Sequence, residues 1–171
     1  MNIAKVLFLF LIISAFFLSS TSQSASLSKG ITIGDWLNLE EDVLIQTTRY
    51  LKADFEAIKS LGADHVRILV NFNSPATVAP DYDLSHVHYS CLDKALVWAE
   101  ELGLSVVIAN GEEEITDGTA EPTKERLITT WKHVATRYAA KGDMMAFELF
   151  HAPGALISAE NWNTVAAAVI A

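Results

Sequence analysis

Four times over, a short run of apolar, often β-branched residues is followed by a longer stretch whose apolar residues recur at helical spacing. Strands are predicted over Gly30 to Gly34, Val66 to Phe72, Leu104 to Ala109 and Met144 to Phe150. Between them, Leu51, Phe55, Ile58 and Leu61 mark a helix over Arg49 to Leu61, stopped by Gly62. A second helix runs from Ser85 to Leu102 and stops at Gly103. A third spans Thr123 to Ala140, with Pro122 before it, Thr123 as its cap and Leu127, Ile128, Trp131, Val134, Ala135 and Tyr138 along one face. A fourth starts at Ala159, with Ser158 as its cap. Strand and helix in strict alternation leave few folds open. Successive βα units form a parallel sheet with right-handed crossovers, and such strands are expected to be buried on both faces. The long connections, Ser74 to Leu84 and Gly111 to Pro122, both follow the C-terminal ends of strands. In parallel α/β folds that end carries the ligand site.

The chain's first part is read separately. Lys5, the apolar run Val6 to Leu18 and the small polar stretch Ser19 to Ser26 have the order of a secretory signal peptide, cut after Ser22, Ser24 or Ala25. The alternative is an uncleaved anchor, although the run falls short of the about 20 apolar residues that a span needs. Residues 1–25 are therefore assigned to a leader and 26–171 to one domain, long enough for a packed core. No later segment is apolar enough to span a bilayer. A net charge of −9 argues against a phosphate backbone or an anionic lipid as partner. Cys91 is the only cysteine, so no internal disulfide can form. It falls on the stripe Val87, Cys91, Leu92, Ala95, Leu96, Ala99 and is expected to be a buried small hydrophobe.

A set of short motifs carries a resemblance. Gly30-Ile-Thr-Ile-Gly34-Asp-Trp36-Leu resembles the opening "G-x-N-x-G-x-W-L" of family-five glycoside hydrolases. Asp54-Phe55 through Ile58, Leu61-Gly62 and His65-Val66-Arg67-Ile68 are similar to the second unit, "D-x-x-x-I-x-x-L-G-x-x-x-V-R-I-P". Leu92-Asp93 through Trp98-Ala99, Gly103-Leu104 and Val106-Val107-Ile108 resemble the third. Trp131 to Tyr138 resembles "W-x-x-I-A-x-R-Y", and Phe147-Glu148-Leu149-Phe150-His151-Ala152-Pro153 resembles "F-E-L-x-N-E-P". Each piece is weak alone; their order over Gly30 to Pro153 makes the match specific. The resemblance implies a (β/α)₈ barrel of which about four βα units, half a barrel, are present. It implies retaining hydrolysis of β-linked glucans or mannans of the cellulase type. Retention needs two carboxyl groups about 5–5.5 Å apart, one to protonate the leaving oxygen and one to attack the anomeric carbon.

The departures bear on activity. The family's acid/base Glu falls at Ala152, which has no proton to give, and the preceding Asn is His151. The "D-x-H-H" end of the third strand reads Ala109-Asn110-Gly111-Glu112, and the proline of "R-I-P" is Leu69. Arg67 keeps its place; in the family it orients the nucleophile, which belongs to a later strand beyond residue 171. The apolar end Val165 to Ala171 has no capping glycine and reads as a helix cut rather than finished. Glu148 shares the strand parity of Ala152 but would lie four residues deeper, roughly 13 Å at strand rise. It is expected to be a structural carboxylate paired with Arg67. Glu112, Glu113 and Glu114 could reach the cleft or form a solvated acidic loop, the second being the commoner outcome for a charge run. Trp36 could stack on a sugar or sit in the core; Trp98 and Trp131 are expected in the core.

The candidate substrate-binding set is Trp36, Arg67, Asn110, Glu112 and His151. No histidine pair has helical ligand spacing, and His86 and His88 should point to different sides, so neither metal nor cofactor is expected. There is no Gly-rich phosphate loop and no nucleophile elbow. Three functions stay open: an active hydrolase, a secreted binder of β-glucan or mannan without catalysis, and a fragment whose open sheet edges favour self-association.

Overall fold

The computed structural model describes residues 27–39, 45–74, 77–112 and 114–171. The leader and Glu113 lie outside the described residues. The elements are β1 (Gly30–Leu37), α1 (Lys52–Ser60), β2 (His65–Val70), α2 (His86–Leu102), β3 (Ser105–Asn110), α3 (Ala120–Tyr138), a 3₁₀ turn (Ala139–Met144), β4 (Met145–Glu148) and α4 (Ala159–Ile170). The four strands pair in parallel in the order β1-β2-β3-β4. Sequential order with right-handed crossovers places every helix on one face of the sheet. The result is four βα units, the partial barrel that the resemblance implies.

Local chemistry sets the boundaries. Ser85 caps α2, its Oγ accepting from the His88 N–H, and Gly103 closes that helix at φ 61°. Ser158 caps α4 in the same way through Asn161. Leu51 precedes α1 and offers no side-chain acceptor, but Asp54 reaches back to accept the Leu51 N–H at 2.8 Å. Gly62 follows at φ 79°, a conformation in which a Cβ would be strained. α3 begins three residues earlier than the sequence predicts. Thr119 precedes it, and Thr123 lies within the helix, its N–H donating to the Thr119 carbonyl. Pro122 therefore stands in the first turn, where an N–H has no intrahelical acceptor to lose.

The core lies between the sheet and the helices. Val66, Ile68 and Val70 of β2 and Val106 and Ile108 of β3 have no exposed surface, and they face Phe55, Leu92, Leu96, Leu127 and Val134. Trp131 is in this core, its ring 4.7 Å from Phe72; Trp98 is partly buried, edge-on to Phe55 at 5.4 Å. Cys91 is fully buried and free, and burial pushes its thiol pKa up. The expectation of strands buried on both faces holds for β3, buried from Val106 to Asn110, and is corrected for β2. Along β2, burial alternates, with His65, Arg67 and Leu69 only half-buried. Helices cover one face, and the other is a concave surface partly open among the described residues.

β4 is also shorter than predicted. It ends at Glu148, and the backbone leaves the sheet through residues 149–158 before α4 begins. One residue at the mouth is crowded. A Cβ built on Gly111 would lie 3.1 Å from the β-carbons of both Asn38 and Leu69.

Candidate functional site

The strands' C-terminal ends bring three side chains together on the concave face. Arg67 of β2 is in register with Val107 of β3, and Glu148 of β4 with Ala109 of β3. Side chains in register share a face, so Arg67 and Glu148 reach each other across β3, over the small Ala109. Their contact is two-pronged: Arg67 Nε donates to Glu148 Oε2 at 2.5 Å, and Nη2 to Oε1 at 2.6 Å. Nη2 also meets His151 Nδ1 at 2.7 Å. The His151 backbone N–H donates to the Asn110 carbonyl at 2.7 Å, which ties the segment after β4 to the end of β3. His151 and Ala152 are exposed beside this pair.

The Arg67–Glu148 pairing expected from the sequence is present. A straight strand would carry residues 151 and 152 far above Glu148. Because β4 stops at Glu148 and the chain turns, one guanidinium touches both Glu148 and His151. Sequence reading missed the Arg67–His151 contact; strand parity cannot foresee where a strand ends.

The other three members of the expected set lie elsewhere. Trp36 has no exposed surface; its Nε1 donates to the Gln46 carbonyl and its ring packs 5.3 Å from Tyr50. It is a core residue here, with no open face for a sugar. Asn110 is wholly buried, its Oδ1 accepting the Glu112 N–H at 3.2 Å. Glu112 is 6% exposed and takes a hydrogen bond from Arg126 Nη2 at 2.7 Å. The expected solvated acidic loop is thus corrected at Glu112, which turns inward to α3. Burial raises its carboxyl pKa, while Arg126 pulls it back. Glu112 Oε1, Arg126 Nε, Asn110 Nδ2 and Asn38 Oδ1 are buried without a hydrogen-bond partner.

Chemically, the concave site is rich in N–H donors. Both oxygens of Glu148 accept a hydrogen bond from Arg67. Ala152 contributes only a methyl group. Among the described residues, no three of His, Cys, Asp and Glu are grouped to hold a metal. Nor is any helix among them long and apolar enough to cross a membrane. Two grooves of about 670 and 440 Å³ lie on the outer helical face, sharing Tyr89 and Arg137. Within them Arg137 is paired with Asp93, and the Tyr89 hydroxyl donates to Asp83. The strand ends remain the candidate site.

Four parallel βα units with polar groups gathered at the strand ends define a (β/α)₈-barrel scaffold, present in part. The chain belongs to the cellulase family, glycosyl hydrolase family 5, whose family model matches residues 29–171. Among curated relatives, it is similar to the cellulase/esterase CelE of Acetivibrio thermocellus, 23% identical over 137 residues, covering 78% of this chain and 17% of that protein. Among solved structures, Cel5A of Thermotoga maritima with cellobiose superposes at a TM-score of 0.70 and 28% identity, over 84% of this chain and 49% of that one. The same enzyme with mannotriose gives a TM-score of 0.69 at 29% identity, over 86% and 47%. The chain thus spans about half the length of these structural neighbours and less of the curated relative.

Proposed function

We propose that this chain recognises β-linked glucans or mannans on a glycoside-hydrolase scaffold and, as it stands, does not hydrolyse them. The reaction class of the family is retaining hydrolysis, which requires a carboxylic acid at the leaving oxygen. One observation supports the reading: Ala152, at the motif position where the resemblance puts that acid, is exposed, and Glu148 has both oxygens bonded to Arg67. A general acid contributes typically 10²–10⁴-fold in rate, so its replacement by a methyl group removes turnover before it removes binding. The donors of Arg67 and His151 would remain to meet sugar oxygens. The choice of ligand is supported by the bound cellobiose and mannotriose of the Thermotoga enzyme. The apolar run after Lys5 supports export, so that the polysaccharide is met outside the cell; N-terminal sequencing of protein recovered from the medium tests this.

Thermal unfolding with and without cellobiose or mannotriose tests the binding. At a hundredfold excess over Kd, a ligand specific for the native state adds about 2.7 kcal/mol. For a domain of this size that raises Tm by about 5–10 °C. A melt indifferent to both sugars defeats the reading. Release of reducing ends by the unaltered chain would overturn the second half of it.

A further inference from the structure

The Arg67–His151 contact fixes more than a distance. A guanidinium has five N–H donors and no acceptor. At 2.7 Å from Arg67 Nη2, His151 Nδ1 must therefore be the accepting, unprotonated nitrogen. A proton on Nδ1 would set two N–H groups against each other. Glu148, which could have matched such a proton, already has both oxygens on the same guanidinium. The imidazole's remaining N–H then sits at Nε2, on the side of the ring away from Arg67, and the side chain is exposed. Its backbone is held in turn by the Asn110 carbonyl.

We propose that His151 is a donor contact of the concave site in a set tautomer: an imidazole seated by Nδ1 on Arg67 that offers a ligand its Nε2–H. This rests on the reading that the site receives a glycan. It deepens that reading by naming the partner atom, an oxygen acting through a lone pair. The asparagine that the family motif carries at this place can both donate and accept. His151 in this state cannot accept, so the ligand oxygen it meets supplies the lone pair. It also does not replace the proton lost at Ala152. A neutral imidazole N–H is far too weak an acid for that work, and the nitrogen that would need the second proton is closed by Arg67.

Long-range ¹H–¹⁵N spectra of the labelled protein at pH 8 read the two ring nitrogens directly, with His151→Asn identifying the signals. The expected pattern is a bare, hydrogen-bonded Nδ1 and a protonated Nε2. In the double variant Arg67→Met/Glu148→Gln, which leaves no unpaired charge behind, Nδ1 should move to the value of a free pyridine-type nitrogen. A protonated Nδ1 in the unaltered protein, or an Nδ1 signal indifferent to the double variant, overturns the proposal. Titration with cellobiose is the second arm. The Nε2–H signal should shift, His151→Phe should weaken binding about tenfold, the cost of one hydrogen bond, and His151→Asn should retain it within a few-fold. Binding that leaves the His151 signals still overturns its role as a contact. No cellobiose binding at all, with the ring pattern intact, sinks the glycan reading and leaves the Arg67–His151 geometry standing.

Discussion

Two buried polar side chains set the chain's response to mutation and pH. Glu112 and Arg126 form an ion pair whose side chains are 5% and 13% exposed. Removing one partner strands the other charge in the interior, at a cost of about 3–5 kcal/mol. Glu112→Ala should therefore lower the urea unfolding free energy by that amount. Glu112→Leu with Arg126→Met should recover most of it, because neither charge is then left behind. His88 is 3% exposed, and burial pushes its pKa down to about 4 from 6.5, opposed by a hydrogen bond to the Leu37 backbone. The unfolded chain takes up this proton below about pH 6.5 and the folded chain only near 4. The stability is whole above 6.5 and is lost as pH falls through that window, about 3 kcal/mol in all. In His88→Gln the urea midpoint should depend less on pH between 6.5 and 4 than in the unaltered chain. The sequence placed His86 and His88 on different sides of a helix, and His86 is exposed while His88 is buried. That Glu112 turns inward was not legible in a run of three glutamates, because its partner lies fourteen residues away on another element.

At the scale of elements, the helices were more legible than the strands' ends. Ser85, Gly103 and Ser158 announce their boundaries because capping is local chemistry, satisfied within four residues. Ser85→Ala should cost about 1 kcal/mol by thermal or urea unfolding. The loss could run higher, since Ser85 Oγ also lies 2.9 Å from His88 Nδ1. Ser85→Asp should keep the helix cap, and a full loss of stability there would show that the contact with His88 matters more than the cap. Thr119 was missed as the start of α3 because Pro122 suggested a boundary that it does not make. β4 was over-extended to Phe150 because its apolar run continues after its pairing with β3 has ended. Pairing is a property of two segments, and neither alone shows where it stops.

For the molecule as a whole, alternation in the sequence was enough to specify a parallel sheet with crossover helices. It could not specify which strand face stays open, since that depends on what lies opposite the concave side. β2 and β3 each have a strand on either side, while among the described residues β1 and β4 pair on one side only. Amide exchange should follow this order: protection in Val66, Ile68, Val106 and Ile108 should exceed that of the outer strands by at least about tenfold, measured by native-state exchange. Uniform protection across the four strands would mean that β1 and β4 have further partners in solution.

The crowding at Gly111 bears on which side chains this strand end can take. Any residue with a side chain there meets the β-carbons of Asn38 and Leu69 at 3.1 Å. Those carbons belong to neighbouring strand ends, so a side chain at 111 needs them to give by a few tenths of an ångström. The exposed position 152 carries no such constraint. Two positions at one mouth thus differ in what they can be changed to: one is open to a larger residue, the other is held to glycine by its neighbours.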